Sequence, residues 1–218
     1  MNHLVRPPSA PQMAVRTALI LVLFMVVFTA LLSGAYLWTR PAIEAAAAEE
    51  KMKLIDEVLP RQSYDNDLLN DFVRLEPVAA LGTDTEMKLF RARKNGQIET
   101  LVFEAVAPDG YAGKIRLLIA LGVDGTLRGV RVIQHKETPG VGDYIEPKKD
   151  KNREGPWITQ FDGLAPSIVD ERDWKVKKDG GRFDSVAGAT VTPRAIIKAV
   201  RKAALYVEAN RVRLTAGQ

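Results

Sequence analysis

The stretch that decides the fold is Lys114–Ile133, KIRLLIALGVDGTLRGVRVI. Ile115, Leu117, Ile119 and Leu121 alternate with other residues, which puts them on one face of a strand in a sheet with a buried side. Asp124-Gly125 interrupts the apolar run, and Thr126–Ile133 resumes it. An Asp-Gly pair between two such runs favours the positive φ angles of a tight hairpin. The pattern repeats upstream, where Asn95-Gly96 separates Leu89–Lys94 from Ile98–Val106. The middle of the chain is therefore read as antiparallel strands.

Downstream the character changes. Between Gln134 and Arg182 the chain is rich in Gly, Pro, Lys and Asp, with short apolar pieces such as Trp157–Phe161. Long irregular segments inside compact domains are often functional. A final helix is expected from about Pro193 to Arg213, with Thr192 as its cap and Pro193 at its first position. Ile196, Val200, Ala203 and Val207 line one face of it, and Arg194, Lys198, Arg201 and Lys202 read as a solvated basic face.

Upstream, Thr17–Trp38 runs for 22 residues without a charge. At 1.5 Å per residue this spans about 33 Å, enough for a hydrocarbon core of roughly 30 Å. Tyr36 and Trp38 sit at its end, where amphipathic rings favour the headgroup level. The competing reading is a cleaved signal peptide with Ser33-Gly34-Ala35 as the cleavage site. Its apolar region would exceed the usual ~7–15 residues, so a retained anchor is expected. Arg6 and Arg16 precede the span without acidic neighbours, whereas Arg40, Lys51 and Lys53 follow it among Glu44, Glu49 and Glu50. Basic residues alone nearly balance, and the preferred orientation is a short inner N-terminal tail with an exported C-terminal domain. Pro41–Leu59 reads as a further helix, with Pro41 in its first turn and Pro60 ending it; a stalk and an ordinary first domain helix both fit. The expected organisation is a tail over 1–16, a span over 17–38, a stalk helix over 39–60 and a domain over 61–218.

Composition excludes several functions. The chain of 218 residues has no cysteine, which removes disulfides, thiolate metal ligands, Cys-bound iron–sulfur clusters and catalytic thiols. Two histidines, His3 and His135, cannot make a His-rich metal site. The 31 basic residues stand against 27 acidic ones and are spread along the chain, so no basic tract points to nucleic acid.

The segment Asp184-Ser185-Val186-Ala187-Gly188-Ala189-Thr190-Val191-Thr192-Pro193 carries the chemistry. Small residues at 187–189 let a ligand approach the backbone, and free N–H groups at a helix start suit a phosphate. A plain capped helix after a tight turn has the same local features. The segment resembles the flavinylation motif Asp-x-x-(Ser/Thr)-Gly-Ala-Thr, with Ala187 departing from the usual Ser or Thr. The rest of the soluble part is similar to the FMN-binding domain of the G subunit of the Rnf electron-transport complex, and to the C subunit of the sodium-translocating NADH:quinone oxidoreductase. Gly110-Tyr111-Ala112-Gly113, His135–Gly142 and Trp157–Phe161 support this in order and spacing.

The resemblance implies an α+β fold: one N-terminal transmembrane helix, then an extracytoplasmic FMN-binding domain of mixed β-sheet and helix. It implies FMN joined covalently through its phosphate to Thr190. Asp184, Ser185, Gly188, Ala189, Val191 and Thr192 are the surrounding cofactor-binding residues, and Glu137, Thr138, Gly140 and Gly142 form a loop against the flavin ring. Implied partners are the other subunits of an Rnf-type membrane complex, a flavin transferase during maturation, and membrane lipid. The implied location is the bacterial inner membrane, single-pass, with a periplasmic C-terminal domain. The function implied is electron relay in an ion-translocating oxidoreductase, without independent activity and without a catalytic acid, nucleophile or metal. The alternatives are an anchored flavinylated donor to another extracytoplasmic reductase, and an anchored β-rich adhesion or assembly module without cofactor.

Overall fold

A computed structural model describes residues 9–216. Residues 1–8 of the expected tail, His3 and Arg6 among them, lie outside the described residues. The chain divides into two compact units, residues 1–50 and 51–218.

Helix α1 (Ala10–Val58) opens the fold. An 18-residue window within it has a mean hydropathy of 2.6, and none of that window is buried. It is long and apolar enough to cross a bilayer. Pro41 lies inside α1 and does not start a new helix. An internal proline forfeits one hydrogen bond and crowds the preceding turn. Here it is bracketed by an Arg40–Glu44 ion pair at 2.7 Å and followed by the strongly helix-favouring run Ala45–Ala48.

The second unit is built on an antiparallel five-stranded sheet in the order β1-β2-β3-β4-β5, with β1 Phe72–Leu75, β2 Met87–Lys94, β3 Gln97–Gly110, β4 Gly113–Gly122 and β5 Leu127–Gln134. Each strand pairs with the next, and short turns join β2 to β3, β3 to β4 and β4 to β5. Asn95 and Gly96 have φ of 50° and 79°, the left-handed pair of a two-residue hairpin. The Asp124-Gly125 turn is longer. Gly125 N–H donates to the Gly122 carbonyl and Gly122 N–H to that of Thr126, so Gly125 alone takes positive φ in a three-residue loop. The strands are never parallel among the described residues; an isolated parallel bridge joins Val176 and Phe183.

Ile115, Leu117, Ile119 and Leu121 do share a buried face, packed with Phe103, Ile196, Val200 and Val207. The opposite face is also buried: Leu118 and Ala120 pack with Phe90, Val102, Ile55, Val58 and Leu59. The last turns of α1 thus cover one side of the sheet and α2 (Val191–Ala209) the other. Val, Leu, Ile and Phe side chains buried this way contribute about 1.5–3 kcal/mol each.

Helix α2 starts two residues before the expected Pro193 and stops at Asn210, after which a short helix α3 (Arg211–Thr215) follows. Asn210 Nδ2 donates to the Tyr206 carbonyl at 2.8 Å, a side-chain bond that competes with helix continuation.

At the edge of the sheet, Asp71 accepts from Arg91 Nε at 2.6 Å and Arg93 Nε at 2.5 Å. Burial works against its charge, but Arg93 and Arg91 outweigh it and hold the carboxyl below its ordinary value. A depressed folded-state pKa means the stabilisation is present above the unfolded-state pKa and is lost as pH falls through the folded one. Asp71→Asn is expected to cost about 2 kcal/mol at pH 7. The gap from wild type should close as pH drops below the ordinary value of 3.8, as read by urea unfolding across pH.

Candidate functional site

Three loops converge at one end of the sheet. The β3–β4 hairpin tip carries Tyr111 and Ala112, the segment after β5 carries Glu137–Gly142, and the chain entering α2 carries Gly188–Thr192. Between them lies a cleft of about 300 Å³ lined by Tyr111, Glu137, Thr138, Val141, Gly142, Gly188, Ala189, Val191 and Thr192.

Glu137 ties the three loops together. It is 4% exposed. Its Oε1 accepts from the Ala112 N–H at 3.1 Å, and its Oε2 accepts from the Thr192 hydroxyl at 2.7 Å. Its own N–H donates to His135 Nδ1 at 2.9 Å, and His135 Nε2 meets Glu146. Burial opposes charge on Glu146, yet His135 and Lys149 hold its carboxyl below the usual range. His135 is thus a brace between the Glu137 backbone and the Glu146 carboxylate. The Thr138 carbonyl accepts from the N–H groups of Val141 and Gly142, and Gly140 N–H donates to Asp143 Oδ1 at 2.8 Å, which folds Glu137–Gly142 into a tight turn. A Cβ on Gly142 would meet Glu137 Oε2 at 2.9 Å, so a larger residue there would displace the carboxylate.

The wall opposite is the entry to α2. Gly188 has φ of 83°, and a Cβ built on it meets nothing within 4 Å, so the backbone there is open to a ligand. The Ala189 carbonyl accepts from the Tyr144 hydroxyl at 3.1 Å. Burial foremost, with Asp150 and Glu137 adding and a Val186 backbone bond opposing, pushes that phenol up to about 12, so it remains a neutral donor. Tyr144 also meets Trp157 edge-on at 5.9 Å, and Trp157 continues into Phe161, Phe183 and Trp174. Trp157 Nε1 donates to the Asp184 carbonyl at 2.6 Å, and Asp184 N–H to Gln160 Oε1 at 2.9 Å. The irregular stretch from 134 to 182 therefore contributes an aromatic base that fixes both ends of the 184–190 segment.

The sequence-derived residues fall into two groups. Glu137, Thr138, Gly142, Gly188, Ala189, Val191 and Thr192 line the cleft. Asp184, Ser185, Gly140 and Thr190 do not line it. Asp184 pairs with Lys177 at 2.6 Å on the surface. Thr190, between two lining residues, is half-buried, and its hydroxyl accepts from Arg194 Nη1 at 3.3 Å. The expected cap is corrected: Thr190 holds the N-cap position, without a side-chain capping bond, while Thr192 lies in the first turn of α2 and is 1% exposed. Its hydroxyl is spent on Glu137, a bond between residues far apart in the chain. Pro193 stays within the first turn, where a missing N–H is no loss. Tyr111, Val141 and Tyr144 were not among the expected site residues. The two glycines flanking Tyr111-Ala112 were a local sign of a tight tip that could present Tyr111, which is 73% exposed.

Residues 110–205, which hold every residue of the cleft, match the model of the FMN-binding domain, and residues 1–58 match that of the RnfG N-terminal region. Fold and site together thus define a protein of the FMN-binding-domain class preceded by a helix of membrane-spanning character. The chain is 44% identical over 201 residues to the G subunit of the ion-translocating oxidoreductase complex of Pseudomonas aeruginosa strain UCBPP-PA14, covering 92% of each. It is 40% identical over 200 residues to the corresponding G subunit of Pseudoalteromonas atlantica, covering 92% of this chain and 91% of that one. Against the G subunit of Pasteurella multocida it is 43% identical over 190 residues, covering 86% and 90%. The chain belongs to the family of G subunits of ion-translocating oxidoreductase complexes.

Proposed function

We propose that the chain is an electron-relay subunit of a membrane-bound Rnf-type complex that couples electron transfer to ion translocation. In this reading it carries FMN esterified through the phosphate to Thr190. The observation that carries the proposal is the cleft itself, where the Gly188-Ala189-Thr190 segment meets the Glu137–Gly142 turn within the part of the chain that matches the FMN-binding domain.

The residues present fit such a group. Tyr111, Val141 and Val191 are exposed apolar side chains at a narrow cleft, suited to a flat ring system. The missing side chain of Gly188 leaves room beside the acceptor. The first N–H groups of α2 have no intrahelical acceptors, and the helix start favours negative charge, as a phosphate requires. Bound flavin supplies the one- and two-electron chemistry. The protein's part is to hold the ring against the Glu137–Gly142 turn and set the charge around it. A covalent tether keeps the group beside its cleft at high effective concentration whatever its free concentration.

In the same proposal α1 is a retained single-pass anchor in the bacterial inner membrane, in contact with lipid and with other subunits, and the domain faces the periplasm, where a flavin transferase modifies it. The apolar surface of α1 supports the anchor, and Arg6 and Arg16, which precede the uncharged stretch Thr17–Trp38 without acidic neighbours, support this orientation. The test is expression of the full chain with a flavin transferase, followed by intact mass measurement of the detergent-extracted protein. One FMN per chain, joined with loss of water, is expected. An unmodified mass from colourless protein would reject the flavoprotein reading.

A further inference from the structure

The acceptor hydroxyl has a neighbour that the motif does not include. Arg194 stands one helical turn after Thr190, and its Nη1 is 3.3 Å from Thr190 Oγ1. The rest of the guanidinium is fixed: Nε and Nη2 each donate at 2.7 Å to the two carboxylate oxygens of Asp179. Asp179 ends the short turn Lys177–Asp179, whose first residue, Lys177, pairs with Asp184 at 2.6 Å. One turn thus pins both ends of the acceptor segment, Asp184 before it and Arg194 after it. A planar guanidinium held bidentately by a carboxylate has few rotamers left, so its remaining N–H groups point in a set direction. That direction is toward Thr190. Lys198, Arg201 and Lys202 on the same helix are directed elsewhere, to Asp109, Glu171 and the Ala79 carbonyl.

We infer that Arg194, oriented by Asp179, is the positioning residue for the Thr190 phosphoester: it places the hydroxyl for transfer and then binds the phosphate oxygens of the product. This rests on the Thr190 reading above. In the transfer, Thr190 Oγ1 forms a bond to the flavin-side phosphorus of a flavin dinucleotide. The phosphoanhydride bond breaks, the nucleoside monophosphate leaves with the electron pair, and the hydroxyl proton passes to solvent. The product is a phosphodiester with one negative charge, and Arg194 is the cation already in place beside it. The guanidinium contact would favour the charge of both the transition state and the product.

The test uses the full chain in detergent, a flavin transferase and flavin dinucleotide, with loading at Thr190 followed by intact mass. Arg194→Gln should load about tenfold more slowly, the size expected for losing one charge-assisted hydrogen bond. Arg194→Lys should fall between, keeping charge without the fixed fork. The exchange Asp179→Arg with Arg194→Asp separates positioning from scaffolding. It restores the ion pair but places a carboxylate beside the acceptor, so its thermal stability should recover while its loading stays slow. In protein that has been loaded, the phosphodiester line in phosphorus NMR should move in Arg194→Lys relative to wild type. The inference is overturned if the exchange variant loads at the wild-type rate, if Arg194→Gln does so, or if the phosphorus line does not move. Wild-type protein that takes no flavin on Thr190 would instead remove the reading beneath it.

Discussion

Thr190→Ala will give a protein that folds and inserts like wild type yet shows no fluorescent flavin band after denaturing electrophoresis. On the proposed linkage the effect is all-or-none, because the Thr190 hydroxyl oxygen would be the bond-forming atom. The structural cost is small: Thr190 is half-buried, makes no side-chain capping bond, and loses only a long contact from Arg194. Thr190→Ser keeps the oxygen and should retain part of the band. Thr192 separates the two hydroxyls cleanly. It is buried against Glu137, so Thr192→Ala should keep the flavin while losing about 1–3 kcal/mol of stability. Peptide mass spectrometry decides the assignment. FMN on Thr192 or Ser185, with Thr190 unmodified, would show that the acceptor has been misassigned while leaving a flavoprotein in place.

Those two threonines mark how far local sequence carries. The Asn95-Gly96 and Asp124-Gly125 turns were legible because a hairpin is specified by the residues that form it. The core face of α2 was legible because Ile196, Val200, Ala203 and Val207 repeat at helical spacing. The seven cleft-lining residues of the two expected segments were legible through their resemblance to a family pattern. What depends on distant partners was not. Leu118 and Ala120 lie on the strand face opposite the one that the alternation marks, and only the end of α1, distant in sequence, buries them. Thr192 has the sequence of a cap, Thr-Pro before an amphipathic run, but Glu137 takes its hydroxyl, and the helix starts earlier than the Thr-Pro pair indicates. Arg194 has the sequence of a solvated helix face, and only the return of the Lys177–Asp179 turn gives it a direction.

Glu137→Ala is the most damaging single change expected in the cleft. The side chain is nearly inaccessible and joins two loops that no strand pairing connects, the hairpin tip through Ala112 N–H and the start of α2 through the Thr192 hydroxyl. Ala112 lies at the surface, so water can replace the carboxylate for its N–H. Thr192 cannot be rescued in this way, because removing its acceptor leaves a hydroxyl with 1% exposure. Loss of the two charge-assisted bonds and the orphaned hydroxyl together should cost about 3 kcal/mol. Glu137→Gln should cost less, since one oxygen still accepts and the hydroxyl can turn. The pair can be isolated by a double-mutant cycle with Thr192→Val, which removes the hydroxyl at nearly constant shape. If the bond is the link, the double variant will be more stable than the sum of the single losses by roughly 1–3 kcal/mol. The measurement is thermal unfolding of the full chain in detergent, read by tryptophan fluorescence. Trp157 suits it, because it packs on Tyr144, whose hydroxyl holds the Ala189 carbonyl in the cleft wall. Additive losses across the cycle would mean that Glu137 and Thr192 act separately, and that the α2 start is held in place by Tyr144 and by the Arg194–Asp179 pair instead.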